Sequence, residues 1–216
     1  MSDDQPAGSP DQDGASLRSR GYLPHWERNA ATYFVTFRLA DALPQHVLLA
    51  YEAEREALLA KALAGGQTLS TVEKARLDQL ISRRIQRFLD SGVGVCYLAT
   101  PAVAEIVAQA LRHFDGIRYR LLAWCIMPNH VHVVVQLLAP YALSEILHSW
   151  KSFTANRIQR LIGFQGMFWQ REYYDHVIRD EEALWRIIKY VAQNPLKANL
   201  QDWPWAEVCI PLEYPL

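Results

Sequence analysis

Two strand-like runs, Tyr119 to Met127 and His130 to Leu138, are joined by Pro128-Asn129. Both runs are rich in β-branched and apolar residues, and proline followed by asparagine is turn chemistry, so the segment reads as an antiparallel hairpin. The hairpin commits the chain to a sheet and places His130 and His132 within it. Val131 separates the two histidines, and alternate residues of a strand point to one face. Both imidazoles therefore share a side of the sheet, and two neutral imidazoles side by side can hold a divalent ion. Histidines two apart in a strand are also common as plain core or surface groups, so the pair needs a second observation.

Strand and helix patterns alternate along the rest of the chain. Thr32 to Arg38 is a β-rich run, and Pro44 opens a helical stretch to about Ala64 that Gly65-Gly66 breaks. Ser70 with Glu73 three residues on is a capping box, and a second helix follows to about Leu89. Residues 44–89 thus look like a helical hairpin inserted into a smaller core. Gly92 to Ala99 reads as a short strand. Thr100-Pro101 starts a helix to about Phe114, with Thr100 as the cap. Ser144 to Leu161 is helical, and Tyr174 to Ile178 is a strand. Asp180 caps a helix from Glu181 to about Asn194, where Pro195 is expected to end it. The order predicts an α+β fold, an antiparallel sheet of ferredoxin-like or RNA-recognition-motif-like topology with helices mainly on one face. Residues 1–19 are expected to be a disordered tail, 20–216 one domain, and 200–216 an extended C-terminal tail on its surface.

Composition narrows the function. The chain has 216 residues, half of them apolar, enough for one sizeable core. Its formal net charge is −1, which is not the signature of a strongly basic nucleic-acid binder. Asp3, Asp4, Asp11 and Asp13 lie in the first 15 residues, and the remainder without them carries +3. A modest local basic surface is therefore compatible with the sequence. Cys96, Cys125 and Cys209 make no CxxC pair, and an odd, sparse set suits a reducing, cytoplasmic setting. No apolar run is long enough to span a membrane, and the N-terminus is too acidic for a secretory signal.

Tyr190 and Asn194 supply the second observation. They are four residues apart in a helical stretch, one turn on the same face. A metal for phosphate chemistry needs few protein ligands and open positions for the phosphate. His130 and His132 would give two, and the Asn194 amide oxygen a third. That mixed nitrogen and oxygen set suits Mn²⁺, and Mg²⁺ if waters join. Tyrosine has a reference pKa of about 10 and is a weak nucleophile, so it needs a polarised phosphate or loss of its proton. A metal pair with a tyrosine beside it suggests a nuclease that attacks phosphodiesters through tyrosine. Tyr173 and Tyr174 are rival nucleophiles with no ligand at helical spacing. His25, His46, His113, His148 and His176 show no comparable spacing and read as structural.

The residues also resemble a known family. Met127-Pro-Asn-His-Val-His132 resembles the His-hydrophobic-His motif of single-tyrosine HUH transposases, and Tyr190-Val-Ala-Gln-Asn-Pro-Leu-Lys-Ala198 resembles the catalytic helix of REP-associated tyrosine transposases. Leu23-Pro-His-Trp26, Tyr33-Phe-Val-Thr-Phe-Arg38 and Trp169-Gln170 are similar to that family as well, so the likeness runs from about Arg20 to Leu200. It implies a ferredoxin-like HUH nuclease fold and Mg²⁺- or Mn²⁺-dependent cleavage and strand transfer of single-stranded DNA. It further implies palindromic hairpin substrates and a 5′-phosphotyrosine intermediate, in a monomer or a homodimer. By that resemblance His130 and His132 are metal ligands, Tyr190 is the nucleophile, and Asn194 takes the place of a third ligand, with adjacent Gln193 as the alternative amide. Two other functions compete: a domesticated module that holds hairpin DNA without cutting it, and a metal hydrolase in which water attacks.

A DNA-facing surface follows from clusters of cations and aromatics. Arg18, Arg20, Arg28 and Arg38 lie near the first core strand, and Lys151, Arg157 and Arg160 on the helix after the histidines. Arg20, Arg38, Lys151 and Arg157 are the expected phosphate contacts, against a solvated surface as the plain reading. Tyr22 and Trp26 are expected to stack on unpaired bases, against core packing.

Overall fold

The computed structural model describes residues 16–19, 24–27, 31–65 and 91–210, together with positions 70, 73, 77, 80, 84, 85 and 87–89. Two short strands come first, β1 (Ser16–Ser19) and β2 (Pro24–Glu27), paired antiparallel as a separate ribbon. The disordered tail expected over residues 1–19 is thus corrected at its last four residues, and positions 1–15 lie outside the described residues.

The body is a five-stranded antiparallel sheet. Its strands are β3 (Thr32–Arg38), β4 (Tyr119–Ile126), β5 (His130–Leu137), β6 (Tyr174–Ile178) and β7 (Ala206–Val208), in the order β6-β3-β5-β4-β7. Helix α2 (Pro101–His113) joins β3 to β4, and α3 (Leu143–Ile162) joins β5 to β6. The first four core strands therefore run βαββαβ with a 4-1-3-2 order, the ferredoxin-like arrangement that the alternating pattern predicts. β7 pairs with the far side of β4, so the C-terminal segment contributes an edge strand at 206–208 rather than only a surface tail.

The sheet is covered on both faces. α2 and α3 pack together over one face, where Tyr33, Val35, Phe37, Val131, Val133, Val135 and Leu137 point. α4 (Glu181–Lys197) covers the other face, against Ala123, Cys125, Met127, Val134 and Ile178. This explains why Val133, Val134 and Val135 form an unbroken apolar run: each side chain is buried on one face or the other. A bulge between Leu121 and Ala123 shifts the phase of β4 by one residue. Tyr119 and Leu121 before it, and Trp124 and Ile126 after it, consequently all reach the α2–α3 side.

Two indoles buried on that side donate to hydroxyls. Trp150 Nε1 donates to Tyr119 Oη at 2.9 Å, and that hydroxyl donates to the Leu111 carbonyl at 2.8 Å. Trp169 Nε1 donates to Thr154 Oγ1 at 2.9 Å. Phe37 lies between Trp150 and Trp169, with centroids 6.4 and 4.9 Å away.

Most described residues of the stretch expected as a helical hairpin are helical. α1 spans Gln45–Ala64, and the described positions between 73 and 89 are helical. Ser70 and Glu73 form the capping box: Ser70 N–H donates to Glu73 Oε2 at 2.8 Å, and Glu73 N–H donates to Ser70 Oγ at 3.3 Å. Arg84 pairs with Glu54 across the two helices.

Three local expectations are corrected. Gly92 to Ala99 is a turn followed by one 3-10 turn at Tyr97–Ala99. Gly94, at φ +101°, packs against Asp41, whose carboxylate accepts the Val95 N–H at 2.7 Å, so the segment is pinned by a side chain rather than by a ladder. Thr100 begins α2 without a side-chain cap bond, whereas Asp180 does cap α4, accepting from Ala183 N–H at 2.7 Å. α4 also runs through Pro195 to Lys197. A proline in the last turn removes one N–H bond, but that turn is closed behind it by Ala198 N–H to Asn194 O and Leu200 N–H to Pro195 O.

Phe37→Ala should open a cavity between two tryptophans and lower unfolding free energy by about 3–5 kcal/mol. Urea unfolding followed by tryptophan fluorescence measures it, and a loss under about 1 kcal/mol would mean the site collapses freely.

Candidate metal and nucleophile site

Strand register builds the site. β3 and β5 pair so that Thr36 lies opposite His132 and Arg38 opposite His130. All four side chains point to the face that α4 covers. Both histidines are fully buried. Their Nε2 atoms face one another at 3.0 Å, with the rings edge to face. On the outer edges, His132 Nδ1 meets Thr36 Oγ1 at 2.8 Å and His130 Nδ1 meets Asn129 Oδ1 at 2.7 Å.

Burial keeps both imidazoles neutral. Loss of hydration holds His130 well below its usual range, helped by His132 and by the Arg38 charge. His132 is pushed down to about 3 by burial. Neutral imidazole is the ligating form. Two neutral Nε2 atoms 3.0 Å apart form a donor pair that would suit a divalent ion. Among the described residues no three His, Cys, Asp or Glu side chains cluster as a metal set.

α4 brings Tyr190 to this pair. The Tyr190 ring lies 5.5 Å from the His132 ring, and Phe34 packs against both, at 5.9 Å from Tyr190 and 5.4 Å from His132. Lys197, two turns on, sets its Nζ 5.2 Å from the Tyr190 ring. Asn194, one turn after Tyr190, is 2% exposed, and its Nδ2 is buried without a hydrogen-bond partner. An orphaned buried amide atom costs free energy. The amide turned over would put Oδ1 in the same place, an acceptor with no donor, as a cation ligand is. Gln193 is only half-buried.

The rival tyrosines are placed differently. Tyr173 is buried in the α2–α3 core cluster, with Lys151 Nζ over its ring. Tyr174 pairs with Thr36, two strands from His132 and so roughly 10 Å away. His176 stands opposite Phe34 on β6.

The expected DNA-contact residues scatter. Arg20 and Tyr22 lie outside the described residues. Trp26 is in β2, paired with Leu17. Arg38 is not on an open surface: it is 4% exposed, its Nε donates to Gln170 Oε1, and burial lowers its pKa to about 10. Lys151 Nζ donates to the Gln170 and Arg171 carbonyls at 2.7 and 2.8 Å, and burial lowers it to about 8. Arg157 is exposed on α3, on the sheet face away from the histidines, with its guanidinium 5.9 Å from the Phe153 ring. Thr36, Phe34 and Asn129 complete the site, and sequence reasoning assigned them no role there. Only the register reveals the first two, whereas Asn129 was visible as the residue directly before His130.

The model of the family described as "Transposase IS200 like" matches residues 99–194, a span that contains His130, His132, Tyr190 and Asn194. Residues 99–194 are thus similar to the IS200-like transposases. A "Putative REP-associated tyrosine transposase" of Haemophilus influenzae is 26% identical over 115 residues, covering 45% of this chain and 62% of the relative. An "Uncharacterized protein" of the same organism is 23% identical over 99 residues, covering 36% and 54%. The chain thus spans about half to three-fifths of the curated relatives it matches. A solved REP-associated tyrosine transposase bound to a REP hairpin is similar at 16% identity and a TM-score of 0.48, over 88% of this chain and 81% of that one. No described helix of the chain is long and apolar enough to cross a membrane.

The depressed histidines set a pH dependence. Unfolded, each titrates near about 6.5, so below that pH the unfolded chain binds more protons than the folded one. The stability from keeping the pair neutral is full above about 6.5 and falls as pH drops toward the folded values. The stability gap between the wild type and a His130→Gln/His132→Gln variant should shrink by roughly 2–3 kcal/mol between about pH 7.5 and about pH 5.5. Denaturant melts at both pH values read it, and a gap that does not change would mean the imidazoles titrate normally.

Proposed function

We propose that this chain is a metal-dependent single-stranded DNA endonuclease and strand transferase, acting on hairpin or palindromic DNA through a tyrosine nucleophile. The observation that carries the reading is the meeting of the paired histidine Nε2 atoms with Tyr190, whose ring is 5.5 Å from His132. The IS200-like segment and a relative named as a tyrosine transposase support the same chemistry.

His130, His132 and the Asn194 amide would hold Mg²⁺ or Mn²⁺. When bound, such an ion withdraws charge from a non-bridging phosphate oxygen and makes phosphorus more electrophilic. Tyr190 is the group that forms the new bond. Its Oη attacks phosphorus and gives up the phenolic proton, while the P–O3′ bond breaks and the departing 3′ oxygen gains a proton. The downstream fragment stays on Tyr190 through its 5′ phosphate as a phosphotyrosine ester, and attack by another 3′ hydroxyl reverses the step onto a new end. The helix fixes where Oη stands: Phe34 packs edge-on against the Tyr190 ring, and Asn194 follows one turn later on the same helix face. The Lys197 ammonium lies 5.2 Å from the centre of the Tyr190 ring.

Labelled hairpin DNA incubated with the protein and Mn²⁺ should give a covalent protein–DNA band on a denaturing gel. Tyr190→Phe and EDTA should each remove it. A band that survives Tyr190→Phe would assign the nucleophile elsewhere. Cleavage with no adduct at any time would favour water attack, and binding without cleavage would favour a non-cutting hairpin-DNA module.

A further inference from the structure

Asn129 sits at the tip of the β4–β5 hairpin and is fully buried. Its Nδ2 donates to two backbone carbonyls, Leu89 O at 3.1 Å and Val93 O at 2.8 Å. Carbonyls only accept, so the amide has one orientation, with Oδ1 turned to His130 Nδ1 at 2.7 Å. Oδ1 also only accepts, so His130 Nδ1 must carry the proton. In a neutral ring that leaves the lone pair on Nε2, the atom that faces His132.

His132 is held differently. Its Nδ1 meets the Thr36 hydroxyl at 2.8 Å, and a hydroxyl can donate or accept. With His130 Nε2 an acceptor, the 3.0 Å contact needs the proton on His132 Nε2, and Thr36 then donates to His132 Nδ1. Rotation of that hydroxyl lets His132 move its proton to Nδ1 and present Nε2. One imidazole is therefore locked and the other adaptable.

The lock reaches beyond the strand. Leu89 ends the described part of the helical insertion and is itself buried, and Val93 belongs to the turn pinned by Asp41. The Asn129 backbone is also fixed, its carbonyl accepting the Leu39 N–H at 2.9 Å. We propose that Asn129 is a positioning residue: it fixes His130 in the Nδ1–H tautomer and couples that ring to the chain leaving the helical insertion. The coupling to metal affinity rests on the proposed metal site; the tautomer lock does not.

Two measurements test it. Long-range ¹⁵N NMR of the metal-free protein, with His130 assigned by the loss of its signals in His130→Gln, should show Nδ1 protonated and Nε2 unprotonated. A wild-type His130 protonated on Nε2 would overturn the proposal, and this reading needs no Asn129 variant to fold. In a folded Asn129→Ala protein the His130 signals should shift toward a tautomer mixture. Titration with Mn²⁺ in the absence of DNA should show affinity falling about 10–100-fold in that variant. Unchanged tautomer and unchanged affinity in Asn129→Ala would also overturn it. A wild type that keeps the Nδ1–H form but binds no Mn²⁺ would support the lock and remove the metal site.

Discussion

Two imidazoles buried side by side under a helix form the constraint on which the rest of the structure depends. Fully removed from water, neither His130 nor His132 can carry charge cheaply, and each ring nitrogen needs a partner. The structure answers with a short relay, Asn129 to His130 to His132 to Thr36, that runs from the hairpin tip to the neighbouring strand. Each member depends on the register of β3 against β5. A slip of one residue would turn Thr36 away and put both histidines into the α2–α3 core.

Covering the second face of the sheet is what turns this relay into a candidate catalytic site. α4 lies over Ala123, Cys125, Met127 and Val134 and is fastened by Ile188 and Val191. The same packing carries Tyr190 to His132 and buries Asn194. A helix that must cover the sheet also delivers the proposed nucleophile, so stability and positioning share one set of contacts. Two of the cations expected to face DNA, Arg38 and Lys151, are instead drawn into structure. Arg38 and Lys151 both converge on Gln170 and its neighbours, holding the loop before β6 against the end of β3. Arg38 adds positive potential at His130 while itself buried.

The fold was legible where periodicity is strong. The β4–β5 hairpin, the long helices, the Ser70–Glu73 cap and the Asp180 cap all appear where turn and capping chemistry place them. The misread segments are those held by tertiary contacts. Residues 92–99 have strand-like composition but no strand beside them to pair with, and a side chain, Asp41, satisfies Val95 instead. Pro195 does not stop α4, because the last turn of a helix tolerates a missing donor when the following N–H groups reach back.

The sequence by itself determined that His130 and His132 share a face and that Tyr190 and Asn194 share a helix stripe, because residue spacing and backbone period are local properties. Only the tertiary structure decided that the strand face and the helix stripe meet. It also decided that Tyr190 rather than Tyr173 or Tyr174 stands beside the pair, and that Asn129 and Thr36 orient the rings. Those facts rest on strand register and on which face of the sheet a helix covers. They are set by burying apolar area across residues far apart in the chain, and no local pattern encodes them.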